Sequence, residues 1–239
     1  MIPYKDDNPS LRFPFVTVTL IIANSIVFLF SQAGGLDEFQ RVLFQWGLVP
    51  SNLLRGYAEV EQPMKWATPF TNLFLHGDWF HLIFNMLFLW LFGDNIEDRL
   101  GSIRFTIFYF LCGFAADFAH IALNPSSAIP AIGASGAIAG VMGAYMVLYP
   151  RARVRTLIIF FPFIRVVVIP AIVYLVLWFV IQLLSQVATS AMNTGGAGVA
   201  FGAHIGGFLL GMLLLSVFKV DDKIIGGRGS IRAPGHWGW

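Results

Sequence analysis

Two residues far apart in the chain are of the types that acyl transfer needs. Ser135 stands in GASGAIAG (residues 133–140) and His204 in AHIGGFLLG (203–211). A serine hydroxyl is a weak nucleophile until a neighbouring imidazole takes its proton. Glycines beside Ser135 keep the approach clear for a substrate backbone. If a helix starts there, its free N–H groups can stabilise an oxyanion. His81 and Asn85, in HLIFN, are four residues apart and share one helix face. The asparagine amide can donate to an oxyanion; the plainer reading is an interhelical hydrogen bond that only holds helices together. GASGA is not the GxSxG elbow of soluble hydrolases, because its second glycine comes one place early and no strand-turn-helix pattern surrounds it. No HExxH pattern or carboxylate–histidine cluster suggests a metal, and nothing calls for a cofactor.

These residues can cooperate only if they lie at one height. Ser135 precedes Arg151 by sixteen residues, His204 precedes Lys219 by fifteen and Asn85 precedes Arg99 by fourteen. At the helical rise these separations are about 24, 22 and 21 Å above the basic residues. In a hydrocarbon layer roughly 30 Å thick, the three groups share a level below the opposite surface. On the sixth apolar segment His204, Gly207 and Gly211 share a face; on the fourth, Gly136, Gly140 and Gly143 form a bare stripe beside Ser135. Small-xxx-small faces let membrane helices approach closely.

The elements that carry them are apolar throughout. The chain is 57% hydrophobic and 12% charged, with mean hydropathy +0.73. A soluble domain carries about 25% charge, so this is an integral membrane protein, and the expected class is an all-α polytopic fold. Six segments can span as helices, near 13–32, 79–96, 103–123, 134–149, 165–187 and 199–218. Asp6 and Asp7 spoil a signal-peptide n-region, so the first segment reads as a retained span. The formal charge of +2 and the absence of a basic, aromatic-interleaved cluster argue against a nucleic-acid partner. Cys112 is the only cysteine, which excludes an intrachain disulfide.

The basic residues orient the spans. Lys5, Arg12, Arg99, Arg104, Arg151, Arg153, Arg155, Arg165, Lys219, Lys223, Arg228 and Arg232 share one side; only Arg41, Arg55 and Lys65 fall on the other. By the positive-inside rule both termini are cytoplasmic. The expected organisation is a cytoplasmic segment 1–12, a six-helix membrane domain 13–219 and a mobile cytoplasmic tail 220–239. A short chain with a minimal six-span core suits a bacterial plasma (inner) membrane. The first external loop, about 33–78, mixes Trp46, Leu48, Leu53, Leu54, Trp66 and Phe70 with charges. It is either a segment lying in the interface or a folded external cap.

Other polar residues read as structural. Asp117 and His120 share a face near the outer end of the third span and are expected to pair with each other, since nothing sets Asp117 beside His204. His76, in FLHGDWFH, is placed to hydrogen-bond the long loop, and Asp78 is a helix N-cap.

FLHGDWFHLIFN (74–85), EDRLG (97–101), GASGAIAG and AHIGGFLLG, in this order, resemble the rhomboid family of intramembrane serine proteases over roughly residues 13–218. The resemblance implies a Ser135–His204 dyad without a third carboxylate, and an oxyanion site shared by the Ser135 backbone and the side chains of His81 and Asn85. It implies that Glu97 and Arg99 are a structural pair packing their loop. It implies that Gly207 and Gly211 hold the dyad helices together and that Gly133 precedes the nucleophile. It also implies a partly membrane-embedded first loop and substrates that are other transmembrane proteins. Two positions depart from the pattern: Ala67 and Thr68 stand where a Trp-Arg pair is common, and Ala139 stands where some relatives stack an aromatic on the histidine. Something else must therefore hold the His204 ring.

The expected reaction is peptide hydrolysis in or beside a substrate's transmembrane segment, in a water-accessible cavity near the outer face. Two other classes compete: a proteolytically silent relative that escorts membrane clients, against which the presence of both Ser135 and His204 argues, and a solute transporter, which would need paired halves that the sequence does not show.

Overall fold

The computed structural model of the chain describes residues 1–55, 62, 64–160, 163–191 and 200–218. The expected tail, with Lys219, Lys223, Arg228 and Arg232, lies outside the described residues, as does most of the connection before the last helix. In chain order the elements are β1 (Ile2–Asp6), α1 (Phe15–Gln32), α2 (Gly35–Trp46), α3 (Pro50–Arg55), α4 (Thr68–Thr71), α5 (Trp79–Leu100), α6 (Ser102–Leu123), α7 (Ser135–Leu148), β2 (Arg153–Phe160), β3 (Phe163–Pro170), α8 (Ala171–Ala191) and α9 (Phe201–Leu214).

Six apolar helices, α1 and α5 to α9, build the polytopic bundle. On length and composition, α1, α6 and α8 are each able to cross a membrane. Helices α7 and α9 have 14 residues each, about 21 Å at the helical rise, so neither reaches across a layer of roughly 30 Å. Helix α7 is the central one. Every residue from Gly136 to Tyr145 is buried, as an all-round apolar helix must be, with α5, α6, α8 and α9 around it. Polar side chains of α1 turn back on their own helix: Thr19, Asn24 and Ser25 donate to the carbonyls of Phe15, Leu20 and Ile21 at 2.7–2.8 Å. Those donors are thereby satisfied without water.

The bundle is knotted together at the arginine-rich end. The Glu97 carboxylate, near the end of α5, accepts the backbone N–H groups of Val16 and Thr17 at 2.9 and 2.8 Å and the Ser102 hydroxyl at 2.7 Å. It thus caps the first turn of α1 and fastens the start of α6. The Arg99 guanidinium lies over the Tyr149 ring, 5.7 Å from its centroid, just past the end of α7.

One segment differs from expectation. Residues 165–170, expected at the start of the fifth span, instead belong to β3, which pairs antiparallel with β2; β1 completes a three-stranded sheet in the order β1-β2-β3. The fifth span starts only at Ala171. Val166, Val167, Val168 and Ile169 are β-branched and favour a strand. Pro170 disfavours helical backbone at Ile169 and so sets the earliest start of a helix. An apolar run does not by itself distinguish strand from helix. The sheet also gives the N-terminal segment a fixed place, with Lys5 paired to Arg155 and Asp6 to Val154.

The described residues of the first loop pack around a small core. Phe39 and Leu43 of α2 bury against Phe28 of α1 and against Leu75 and Leu82, while Phe70 stacks on Phe110 of α6 at 5.2 Å. Its other side turns Leu36, Leu54, Met64 and Trp66 outward, an apolar surface of the kind that lies against lipid.

Candidate active site

Backbone contact between α7 and α9 sets the site. A β-carbon added at Gly207 would lie 2.0 Å from the carbonyl oxygen of Gly136, and one at Gly211 would lie 2.0 Å from that of Gly140. No side chain fits between the helices along this line, so they touch at closest range. Ser135 is one residue before Gly136 and His204 three before Gly207, which brings both side chains to the same level at the start of their helices. Ser135 Oγ is 2.8 Å from His204 Nε2.

The other imidazole nitrogen is also held. His204 Nδ1 is 2.8 Å from Oε1 of Gln182 on α8, and one turn earlier on α8 the Trp178 ring packs against the imidazole at 5.8 Å, tilted by 33°. The support that Ala139 cannot supply comes from α8. Sequence reading missed both residues: a glutamine and a tryptophan in an apolar helix carry no spacing signal that ties them to a histidine in the next segment.

Gly133 brings the chain into Ser135. Its φ of +118° is one that L side chains rarely adopt, and an added β-carbon would lie 2.7 Å from His81 Nε2. The Gly133 N–H donates to the Asn72 carbonyl at 2.9 Å, and the Asn72 side-chain amide donates to Asp117 Oδ1 at 2.7 Å. Asp117 therefore anchors the first loop to α6 through Asn72, in place of the expected pairing with His120, which instead lines the cavity over Ser135. Asn72 is a third residue that the sequence reading did not single out.

Asp78 caps α5, its carboxylate accepting the His81 N–H at 2.8 Å. The Gly77 N–H points at His81 Nδ1 at 3.3 Å. A neutral imidazole that accepts at Nδ1 carries its proton on Nε2, the nitrogen facing Gly133 and the start of α7. The Asn85 amide donates one hydrogen to the His81 carbonyl at 2.9 Å; its second hydrogen remains for another acceptor. His76 is fully buried, its ring 5.0 Å from that of His81. Burial, with the neighbouring His81 adding to it, pushes the His76 imidazole down to about 3.

A cavity of about 600 Å³ opens over these groups, lined by His81, Asn85, Ser135 and His204 and walled by Phe84, Met142 and Trp178. A second cavity, of about 690 Å³, lies at the arginine-rich end among Lys5, Asp6, Trp90, Asp94 and Arg155. Among the described residues no histidine lines it. Among the described residues no group of three or more His, Cys, Asp or Glu side chains is placed to hold a metal ion.

Known proteins share this chain's pattern. A family model described as Rhomboid domain matches residues 63–219. Over 176 residues the chain is 29% identical to "Rhomboid protein 1, mitochondrial" of Saccharomyces cerevisiae, covering 70% of this chain and 45% of that protein. It is 29% identical over 143 residues to "Rhomboid protease GluP" of Bacillus subtilis, covering 60% and 25% of the two chains. It is also 29% identical over 143 residues to "Presenilin-associated rhomboid-like protein, mitochondrial" of Mus musculus, covering 59% and 35%. The chain thus spans less than half the length of each of these relatives.

Proposed function

Because the chain belongs to the rhomboid family, we propose that it is a serine protease that cleaves other membrane proteins in or next to their transmembrane segments, with Ser135 as nucleophile and His204 as general base. The observation that carries this reading is the 2.8 Å contact of Ser135 Oγ with His204 Nε2 beneath an open cavity. Nε2 accepts the serine proton as Oγ attacks the scissile carbonyl, then returns that proton to the leaving amine. Water enters the cavity and hydrolyses the acyl-enzyme by the same route. The oxyanion is met by the Ser135 N–H, which has no intrahelical partner at the start of α7, by the free Asn85 amide hydrogen and by His81 Nε2–H. A helical substrate has its carbonyls engaged internally, so it must unwind locally before cleavage. Small or helix-breaking residues near the cut are therefore preferred.

The protein is a multi-pass membrane protein. The finer placement, in a plasma (inner) membrane with both termini cytoplasmic, is supported by Lys5, Arg99, Arg151, Arg153 and Arg155, all at the end of the bundle away from Ser135.

Co-expression of a reporter transmembrane protein with wild-type and Ser135→Ala chains tests the reading. Cleavage by the wild type and its loss in the variant is the expected result; equal cleavage by both rejects it.

A further inference from the structure

Proton inventory at the imidazole leaves one requirement that Ser135 and His204 do not meet between them. To accept the serine proton at Nε2, neutral His204 must carry its own proton on Nδ1. At 8% exposure, an N–H there needs an acceptor, since an unmet buried donor costs about 1–3 kcal/mol. Asp117, the carboxylate nearest in kind to a triad member, is engaged by Asn72 on another wall. The group that faces Nδ1 is the Gln182 amide oxygen at 2.8 Å, itself 8% exposed.

Building on the protease reading, we propose that Gln182 is the positioning residue of the site: a neutral third member that fixes the tautomer and the ring orientation of His204. Its amide oxygen accepts Nδ1–H, and Trp178, one turn away on the same face of α8, packs against the ring. Together they hold the edge and the face of the imidazole. A neutral acceptor avoids the cost of an unpaired carboxylate at this depth in a bilayer, a cost that pairing with an imidazolium would offset. The consequence is chemical: Gln182 orients the base but gives the imidazolium no opposite charge, unlike the aspartate of a Ser-His-Asp site. It also ties the base to α8. Ser135 and His204 ride on helices locked by glycine contacts, whereas Gln182 comes from a third helix, so alignment of the ring depends on how α8 seats against α9.

The test uses the full chain in lipid nanodiscs, with reporter cleavage and fluorophosphonate labelling of Ser135 measured across pH. Gln182→Leu keeps the volume and removes the acceptor. It is expected to lower kcat roughly 10- to 100-fold with KM near the wild-type value, the pattern of a lost orienting contact. Gln182→Glu restores an acceptor and adds charge. It is expected to retain cleavage and to move the acid limb of the rate profile to higher pH by about one unit, because a carboxylate facing Nδ1 favours the protonated ring. The other titratable groups sharing the cavity, Asp78 and His81 of the α5 start and His120 of α6, are unchanged in both variants. A Gln182→Leu chain that cleaves at the wild-type rate, or a Gln182→Glu chain with an unmoved acid limb, overturns the proposal. Should the leucine variant fail to fold, the glutamate variant decides alone. A wild-type chain that neither labels nor cleaves refutes the protease reading itself, a separate outcome.

Discussion

Gly207 and Gly136 meet backbone to backbone, with room for no atom beyond hydrogen between them: a methyl group on Gly207 would sit 2.0 Å from the Gly136 carbonyl oxygen. The contact joins α7 to α9 directly beneath the Ser135–His204 pair, and Gly211 repeats it against Gly140 one turn further on.

Gly207→Val is therefore expected to force the two helices apart, costing about 3 kcal/mol or more, at the upper end of overpacking effects. Fluorophosphonate labelling of Ser135 should fall together with the thermal midpoint. A variant that labels normally would show that the dyad does not depend on this contact.

Gly133→Ala acts differently. Its positive φ costs a non-glycine residue about 1–3 kcal/mol, and the new methyl meets His81 Nε2 at 2.7 Å. The loop cannot relax without moving either His81 or the start of α7. Turnover is expected to fall by more than the loss of folded protein explains, as read from kcat per labelled active site.

Asn85→Ala removes the amide proposed to meet the oxyanion and leaves Ser135 and His204 in place. A loss of about 10²-fold in kcat with little change in KM is expected, the size seen when a single such donor is deleted. Equal losses in binding and turnover would assign Asn85 to helix packing instead.

Glu97→Ala removes the acceptor of two α1 N–H groups and of the Ser102 hydroxyl. Three donors lose a charged partner, so a loss of about 3 kcal/mol is expected. Because Glu97 lies at the end of α5 remote from His81, kcat of the surviving folded fraction should match the wild type. Thermal unfolding and turnover measured on one sample separate the two effects.

His76 makes stability depend on pH. Its folded value of about 3 lies below the ordinary 6.5, so between these values the unfolded chain binds a proton that the folded chain does not. Stability from this group is complete above about pH 6.5 and falls as pH drops, by at most about 1.4 kcal/mol per pH unit. His76→Leu should flatten the decline of the thermal midpoint between pH 6.5 and 5. An identical slope in both chains would exclude His76 as its source.

Much of this arrangement is legible along the chain. Six apolar stretches mark the helices, the glycine stripes mark faces of close approach, and counting residues back from Arg99 and Arg151 puts Asn85 and Ser135 at one height. The hairpin of β2 and β3 escaped, because hydropathy ranks Val166–Ile169 as apolar without saying whether the backbone hydrogen bonds run within the segment or across to Arg153–Phe160.

Spacing within one segment thus determined the height and face of each polar group, since rise and rotation per residue are properties of a single helix. Which neighbour each face meets was decided only in the tertiary structure. Gln182 reaches His204, and Asn72 links Asp117 to Gly133, because the mutual rotation of packed helices and the path of a loop depend on every contacting surface at once. No local pattern encodes that.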